Sequence, residues 1–98
     1  MPRTRLSDQE ITDALSGLSG WTLASGKLHK EYRFADFVHA FGFMATSAIA
    51  IEKMNHHPDW ANVWNRVTVD LMTHDAGGIT QKDVELARLL DSIAAKLQ

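Results

Sequence analysis

The chain has 98 residues, a formal net charge of −2 and no cysteine. That length makes one domain, 1–98, near the size where core burial becomes marginal, and the missing thiols exclude disulfides, zinc–thiolate sites and thiol catalysis. With no run of Lys or Arg, no direct nucleic-acid contact is expected. No stretch is long and apolar enough for a membrane span, and no signal-type apolar core follows Met1-Pro2-Arg3-Thr4-Arg5. The expectation is a soluble cytoplasmic protein with no membrane contact.

In chain order, Ser7-Asp8-Gln9-Glu10 has the form of a capping box, with Ser7 accepting from the backbone and Glu10 reaching back. Ile11, Ala14, Leu15 and Leu18 follow at helical spacing, and Gly17 and Gly20 stop the pattern. The period then changes to two. Trp21 and Leu23 lead into a turn at Ala24-Ser25-Gly26-Lys27. Beyond it Leu28, Lys30, Tyr32 and Phe34 alternate with His29, Glu31 and Arg33, which predicts an antiparallel hairpin. Trp21 is expected in the core and His29 on the solvated side.

Residues 35–54 read as the longest helix, ending near Asn55 because Pro58 disfavours helical geometry at His57. Phe37, Val38, Phe41, Met44, Ala45, Ala48, Ile49 and Ile51 are expected to form its apolar face, widened by Phe43 and Ala50. One sheet face cannot cover that much surface, so this 35–54 helix is expected to join subunits into a homodimer or homotetramer. Phe43 and Ala48 are its test positions, and His39 is read as structural or interfacial.

A second pair of strands follows. Trp60, Asn62 and Trp64 alternate with Ala61 and Val63, a turn is placed around Asn65-Arg66, and Val67, Val69 and Leu71 face the core. Asp75-Ala76-Gly77-Gly78 is loop. Thr80-Gln81-Lys82-Asp83 resembles a second capping box, so Asp83 is read as a helix-start residue rather than a catalytic acid. Val84, Leu86, Ala87, Leu90, Ile93, Ala94 and Leu97 make the closing helix amphipathic. The expected fold class is α+β in the order α-β-β-α-β-β-α, a four-stranded antiparallel sheet with helices packed on one face.

The chemistry concentrates in Glu52-Lys53-Met54-Asn55-His56-His57-Pro58-Asp59-Trp60 and in Thr73-His74-Asp75. Imidazole titrates near neutral pH, so converging histidines point to proton transfer or metal binding. Three readings stay open on the residues alone. Three imidazoles could hold zinc, although adjacent histidines diverge and no helical His-x-x-x-His spacing is present. They could act separately as acid and base around a flat heterocycle, with Trp60 or Trp64 as a stacking face. They could also complete a hydrogen-bond network in a binding or assembly module.

These two segments, with Asn62-Val63-Trp64-Asn65, Val67-Thr68-Val69, Leu71-Met72, Gly78-Ile79-Thr80 and Asp83, resemble the pterin-4a-carbinolamine dehydratases. The match is dense from Glu52 to Ala87 and extends more weakly through Trp21, Leu28, Phe34, Phe37 and Ala40. Asp59 stands where many relatives have glutamate, and Trp64 where many have tyrosine. The resemblance implies dehydration of a 4a-hydroxytetrahydropterin, as released by aromatic amino acid hydroxylases, to quinonoid dihydropterin and water. It implies no metal and no organic cofactor. Catalytic positions carried over are His56, His57 and His74, with Glu52, Pro58, Trp60 and Thr73 as substrate-binding positions. The resemblance also implies that some members serve as dimerisation partners of a transcription factor, so a non-enzymatic dimerisation or coactivator protein of the same fold is the alternative for this chain.

Overall fold

A computed structural model describes residues 4–98; Met1, Pro2 and Arg3, read above for the missing signal core, lie outside the described residues. The elements run α1 (Asp8–Ser16), β1 (Thr22–Ala24), β2 (Lys27–Arg33), α2 (Phe37–Met54), β3 (Asp59–Val63), β4 (Arg66–Leu71), a 3₁₀ turn (His74–Ala76) and α3 (Gln81–Ala95). The strands form one antiparallel sheet in the order β1-β2-β4-β3. This is the expected α-β-β-α-β-β-α arrangement.

Side-chain alternation divides the sheet into two faces. The register pairs Leu28 with Leu71, Lys30 with Val69 and Tyr32 with Val67, and it sets Trp60 beside Val69. Leu28, Val67, Val69 and Leu71 are fully buried, as are Leu86, Ala87 and Leu90 of α3 in the same core. Each of the buried Leu and Val side chains contributes roughly 1.5–3 kcal/mol. The opposite face is polar, with His29 beside Asp70 and Asp70 beside Asp59 across the strands. Asp70 takes a hydrogen bond at 2.8 Å from His29, and Asp59 one at 3.4 Å from Lys27.

Local chemistry sets the boundaries. Both capping boxes form, Ser7 with Glu10 and Thr80 with Asp83. Ser25 and Gly26 both take positive φ, 53° and 75°, as a two-residue hairpin turn needs. The second hairpin turns at Trp64 and Asn65, with Arg66 already in β4, one residue earlier than the sequence reading placed it. Asn62 decides this by donating its amide to the carbonyls of Trp64 and Arg66, at 3.0 and 2.9 Å.

The long helix corrects one expectation. Its core face is Ala40, Phe43, Ser47 and Ile51. Phe43 is wholly buried and packs against Tyr32, Phe34 and Trp60, so it cannot be an interface position. The side turned outward carries Phe37, Val38, Phe41, Ala45, Ala48 and Ile49. Hydropathy alone could not separate the two sides, because both are apolar. His39 is exposed and hydrogen-bonds to Asp36, the N-cap of α2, at 2.7 Å.

Farther along α3, Asp91 ties that helix to the sheet. It accepts from Trp21 Nε1 at 3.0 Å, from the Tyr32 hydroxyl at 2.5 Å and from Lys30 Nζ at 2.9 Å. Burial first, and then the Asp91 carboxylate, push the Tyr32 hydroxyl far above its ordinary value near 10.0. A phenol whose pKa is raised by folding lends stability that is complete below the unfolded value and lost as pH rises above it. The expected slope above pH 10 is a loss approaching about 1.4 kcal/mol per pH unit. Tyr32 is the only tyrosine, so tyrosinate absorbance reports on it alone. No tyrosinate should form until far-ultraviolet circular dichroism records unfolding. Ionisation near pH 10 in a fully folded protein would contradict this assignment.

Candidate functional site

Helix α2 stops where Asn55 enters the left-handed region, at φ 52°, and its N–H returns to the carbonyl of Glu52. Asparagine tolerates that conformation better than most residues. The chain then runs extended through His56, His57 and Pro58 into β3. Successive side chains of an extended segment point to opposite sides. His56 therefore turns into the protein, 6 % exposed, while His57 stays at the surface.

His56 meets Asp83, which α3 supplies from its first turn. Nε2 of His56 lies 2.5 Å from Oδ1 of Asp83, and Asp83 is fully buried. The other carboxylate oxygen accepts from the Thr73 hydroxyl and from the Thr80 backbone N–H, both at 2.9 Å. Since Thr73 spends its one proton on Asp83, the 2.8 Å contact between the two threonine hydroxyls has Thr80 as donor. Every hydrogen bond in the cluster thus points toward the carboxylate. An ionised carboxylate only accepts, so His56 presents Nε2–H to it. Nδ1 is left without a hydrogen-bond partner among the described residues.

His57 follows the same logic at the surface. Its Nε2 lies 2.9 Å from Oε1 of Glu52, one turn back on α2, with both side chains largely solvated. Solvent screens such a pair, so its use is orientation more than stability. His74 differs again. It begins the 3₁₀ turn after β4, is exposed, and its ring makes no hydrogen bond or ion pair with any described residue.

The three rings open onto one cleft of about 220 Å³, lined by Asn55, His56, His57, Met72, Thr73, His74 and Asp75. Thr73 is thus at the cleft, and Glu52 stands behind His57. Pro58 and Trp60 are not among the lining residues; the Trp60 ring packs edge-on against Phe43, 6.5 Å between centroids. His29 and His39 lie elsewhere, each hydrogen-bonded to an aspartate. Among the described residues no group of three or more His, Cys, Asp or Glu is arranged to hold a metal ion. The nitrogens of His56 and His57 that meet carboxylates are also turned to different partners.

Asp83 is the residue that sequence reasoning undervalued. Its capping role was legible, but a capping box uses only one carboxylate oxygen. The signal available was a box built with aspartate rather than glutamate, which holds the acid close to the helix start.

Comparison with known proteins follows the same lines. Residues 4–93 match the family model described as pterin 4 alpha carbinolamine dehydratase. A Solibacter usitatus protein, provisionally named pterin-4-alpha-carbinolamine dehydratase, is 62% identical over 92 residues, covering 94% of this chain and 97% of its own. A Rhizobium rhizogenes protein with the same provisional name is 48% identical over 98 residues, covering 98% of this chain and 97% of its own. A crystal structure of a transcriptional coactivator/pterin dehydratase from Brucella melitensis superposes with a TM-score of 0.89 at 43% identity. That alignment covers 93% of this chain and 99% of the other. No helix among the described residues is long and apolar enough to cross a membrane. By sequence and by fold, this chain belongs to the pterin-4a-carbinolamine dehydratase family.

Proposed function

We propose that the chain dehydrates a 4a-hydroxytetrahydropterin to quinonoid dihydropterin and water, recycling the pterin of aromatic amino acid hydroxylases. The observation that carries this reading is the common cleft: His56, His57 and His74 border it, and two of the rings are oriented through Nε2 by carboxylates. The hydroxyl on carbon 4a leaves poorly unless it is protonated as it departs. The neighbouring ring nitrogen supplies the electron pair that expels it, and a ring N–H proton is then lost. One proton is given and one is taken, so an imidazolium and a neutral imidazole complete the reaction without a cofactor.

In this reading His56, through Nδ1, and His74 are the acid–base residues, and His57 holds the pterin. Glu52 orients His57, and the Thr73 backbone borders the ligand. Pro58 keeps His57 in extended geometry, while Trp60 supports the site from the Phe43 side. His56→Ala and His74→Ala should each lower kcat by roughly 10²–10⁴-fold. His57→Ala should act mainly on KM, and His29→Ala and His39→Ala should leave turnover unchanged. The double variant His56→Ala/His74→Ala should fall far below either single one. Exhaustive chelation should leave turnover intact. Near-normal kcat in the folded double variant with both hydroxyl stereoisomers, or EDTA inhibition reversed by zinc, would overturn the mechanism.

Asp83 acts through His56 as a positioning residue. In Asp83→Asn the backbone N–H of Thr80 cannot reverse, so the amide oxygen must face it. The NH₂ group then faces His56, whose Nε2 has to accept and whose Nδ1 takes the proton. That wrong tautomer should lower kcat by about 10²–10⁴-fold with little change in KM, as for the aspartate of a serine-protease triad. Nitrogen-15 shifts of the ring should show the switch. A variant that lost only thermal stability would refute the role.

The reading extends to assembly, and it would equally serve a coactivator, the other role in the name of the Brucella relative. Val38, Phe41, Ala45 and Ala48 are exposed on α2 at successive spacings of three, four and three, the seam period of paired helices, and exposed Ile49 lies four beyond Ala45. The two alanines between Phe41 and Ile49 leave room for large side chains of a second α2. A homodimer or homotetramer through this helix is therefore expected. Phe41→Asp or Ile49→Asp should shift light scattering toward the monomer without loss of helicity, since burying an unpaired charge is costly. A wild-type chain that is monomeric at micromolar concentration would end this proposal.

A further inference from the structure

The residues 73–78 that carry His74 form a closed loop. Thr73 N–H donates to the Gly78 carbonyl at 2.9 Å, and Gly78 N–H returns to Thr73 at 3.3 Å. Inside it Ala76 N–H donates to Thr73 and Gly77 N–H to His74, with Gly77 in the left-handed region at φ 72°. The loop has two working halves. Thr73, His74 and Asp75 line the histidine cleft, whereas Gly77 and Gly78 line a separate groove of about 470 Å³ that also borders Arg5, Leu6 and Ser7.

The groove half is strapped down by the segment before α1. Leu6 N–H donates to the Ile79 carbonyl at 2.8 Å, and the Leu6 side chain packs against the core. Next to it the Arg5 stem lies flat across Gly78. A Cβ on residue 78 would come within 2.4 Å of Arg5 Cδ and 2.9 Å of Cγ. Gly78 has no positive φ, so its missing side chain answers to this close approach and not to backbone conformation.

His74 needs such support. With no ring hydrogen bond to a described residue, its imidazole depends on the 73–78 backbone for its position. His56 and His57 are held through their own Nε2 atoms by Asp83 and Glu52. A proton carrier displaced by about 1 Å can lose on the order of 10²-fold in rate. We propose that Arg5 and Leu6 are positioning residues for His74, fixing the 73–78 loop from its far side. The proposal rests on the dehydratase reading for its kinetic consequence, though not for the strap itself.

Two substitutions break the Arg5–Gly78 contact from opposite partners. Arg5→Gly removes the stem, and Gly78→Ala pushes it off a backbone that accepts alanine. Each should lower kcat by roughly 10-fold, within the cost of a small misplacement, with KM changed less than about twofold. Because both remove one contact, the double variant should be no worse than the poorer single one. Hydrogen exchange supplies a readout that needs no turnover: the Gly77 and Gly78 amides should lose protection in each variant, while amides of β4 and α3 keep theirs. Unchanged kcat together with unchanged exchange overturns the proposal, as do fully multiplicative losses in the double variant. If the wild-type chain fails to dehydrate a 4a-hydroxytetrahydropterin, the functional reading falls. The exchange experiment then still decides whether the strap holds the loop.

Discussion

The arrangement depends on a single buried carboxylate. Asp83 has no exposed surface, and a charge in that position is tolerable only when it is fully hydrogen-bonded. It receives Nε2–H of His56, the hydroxyl of Thr73 and the backbone N–H of Thr80. Those donors come from three places in the chain: the α2–β3 connection, the end of β4 and the start of α3. Removing one partner of such a buried pair typically costs about 3–5 kcal/mol, because the remaining charge stays buried. The same bond that closes the fold at this end therefore fixes the tautomer of a cleft histidine. Stability and site geometry are not separable here.

Asp91 performs the corresponding task farther along α3, where Trp21, Tyr32 and Lys30 donate to it. Its side chain keeps partial solvent access, and none of its partners borders the histidine cleft. The two carboxylates fasten α3 to the sheet at separate points. Between them the helix needs only apolar contacts, supplied by Val84, Leu86, Ala87 and Leu90. One carboxylate is bound up with the cleft and the other with anchoring, although both are aspartates on one helix.

The histidines illustrate how a fold grades one residue type into several roles. His56 is buried and clamped, His57 is solvated and steered by Glu52, and His74 is carried by a loop with no ring partner among the described residues. The cleft is thus bordered by one clamped imidazole, one steered by a surface carboxylate and one whose ring has no hydrogen-bond partner among the described residues.

Much of this was written locally. Capping boxes, the period-two runs and the Gly and Pro breaks are contacts between residues close in sequence, so element order and sheet class could be read directly. The divergence of His56 from His57 was legible for the same reason, since it follows from alternation in an extended segment. The histidine motif itself was visible as a family resemblance. What sequence could not resolve was any choice among long-range partners. Phe43 and Phe41 are equally apolar, and only the packed sheet buries one and exposes the other. Trp60 and Trp64 were equal candidates for a stacking face, and only the β4 register sets Trp60 beside Val69, where its ring meets Phe43 edge-on. Asp83 showed its capping role in the sequence, but its bond to His56 spans 27 residues and exists only because α3 packs its first turn against the end of α2. A local pattern specifies what a residue can do for its neighbours in the chain, and tertiary packing decides which distant atom receives its free valence.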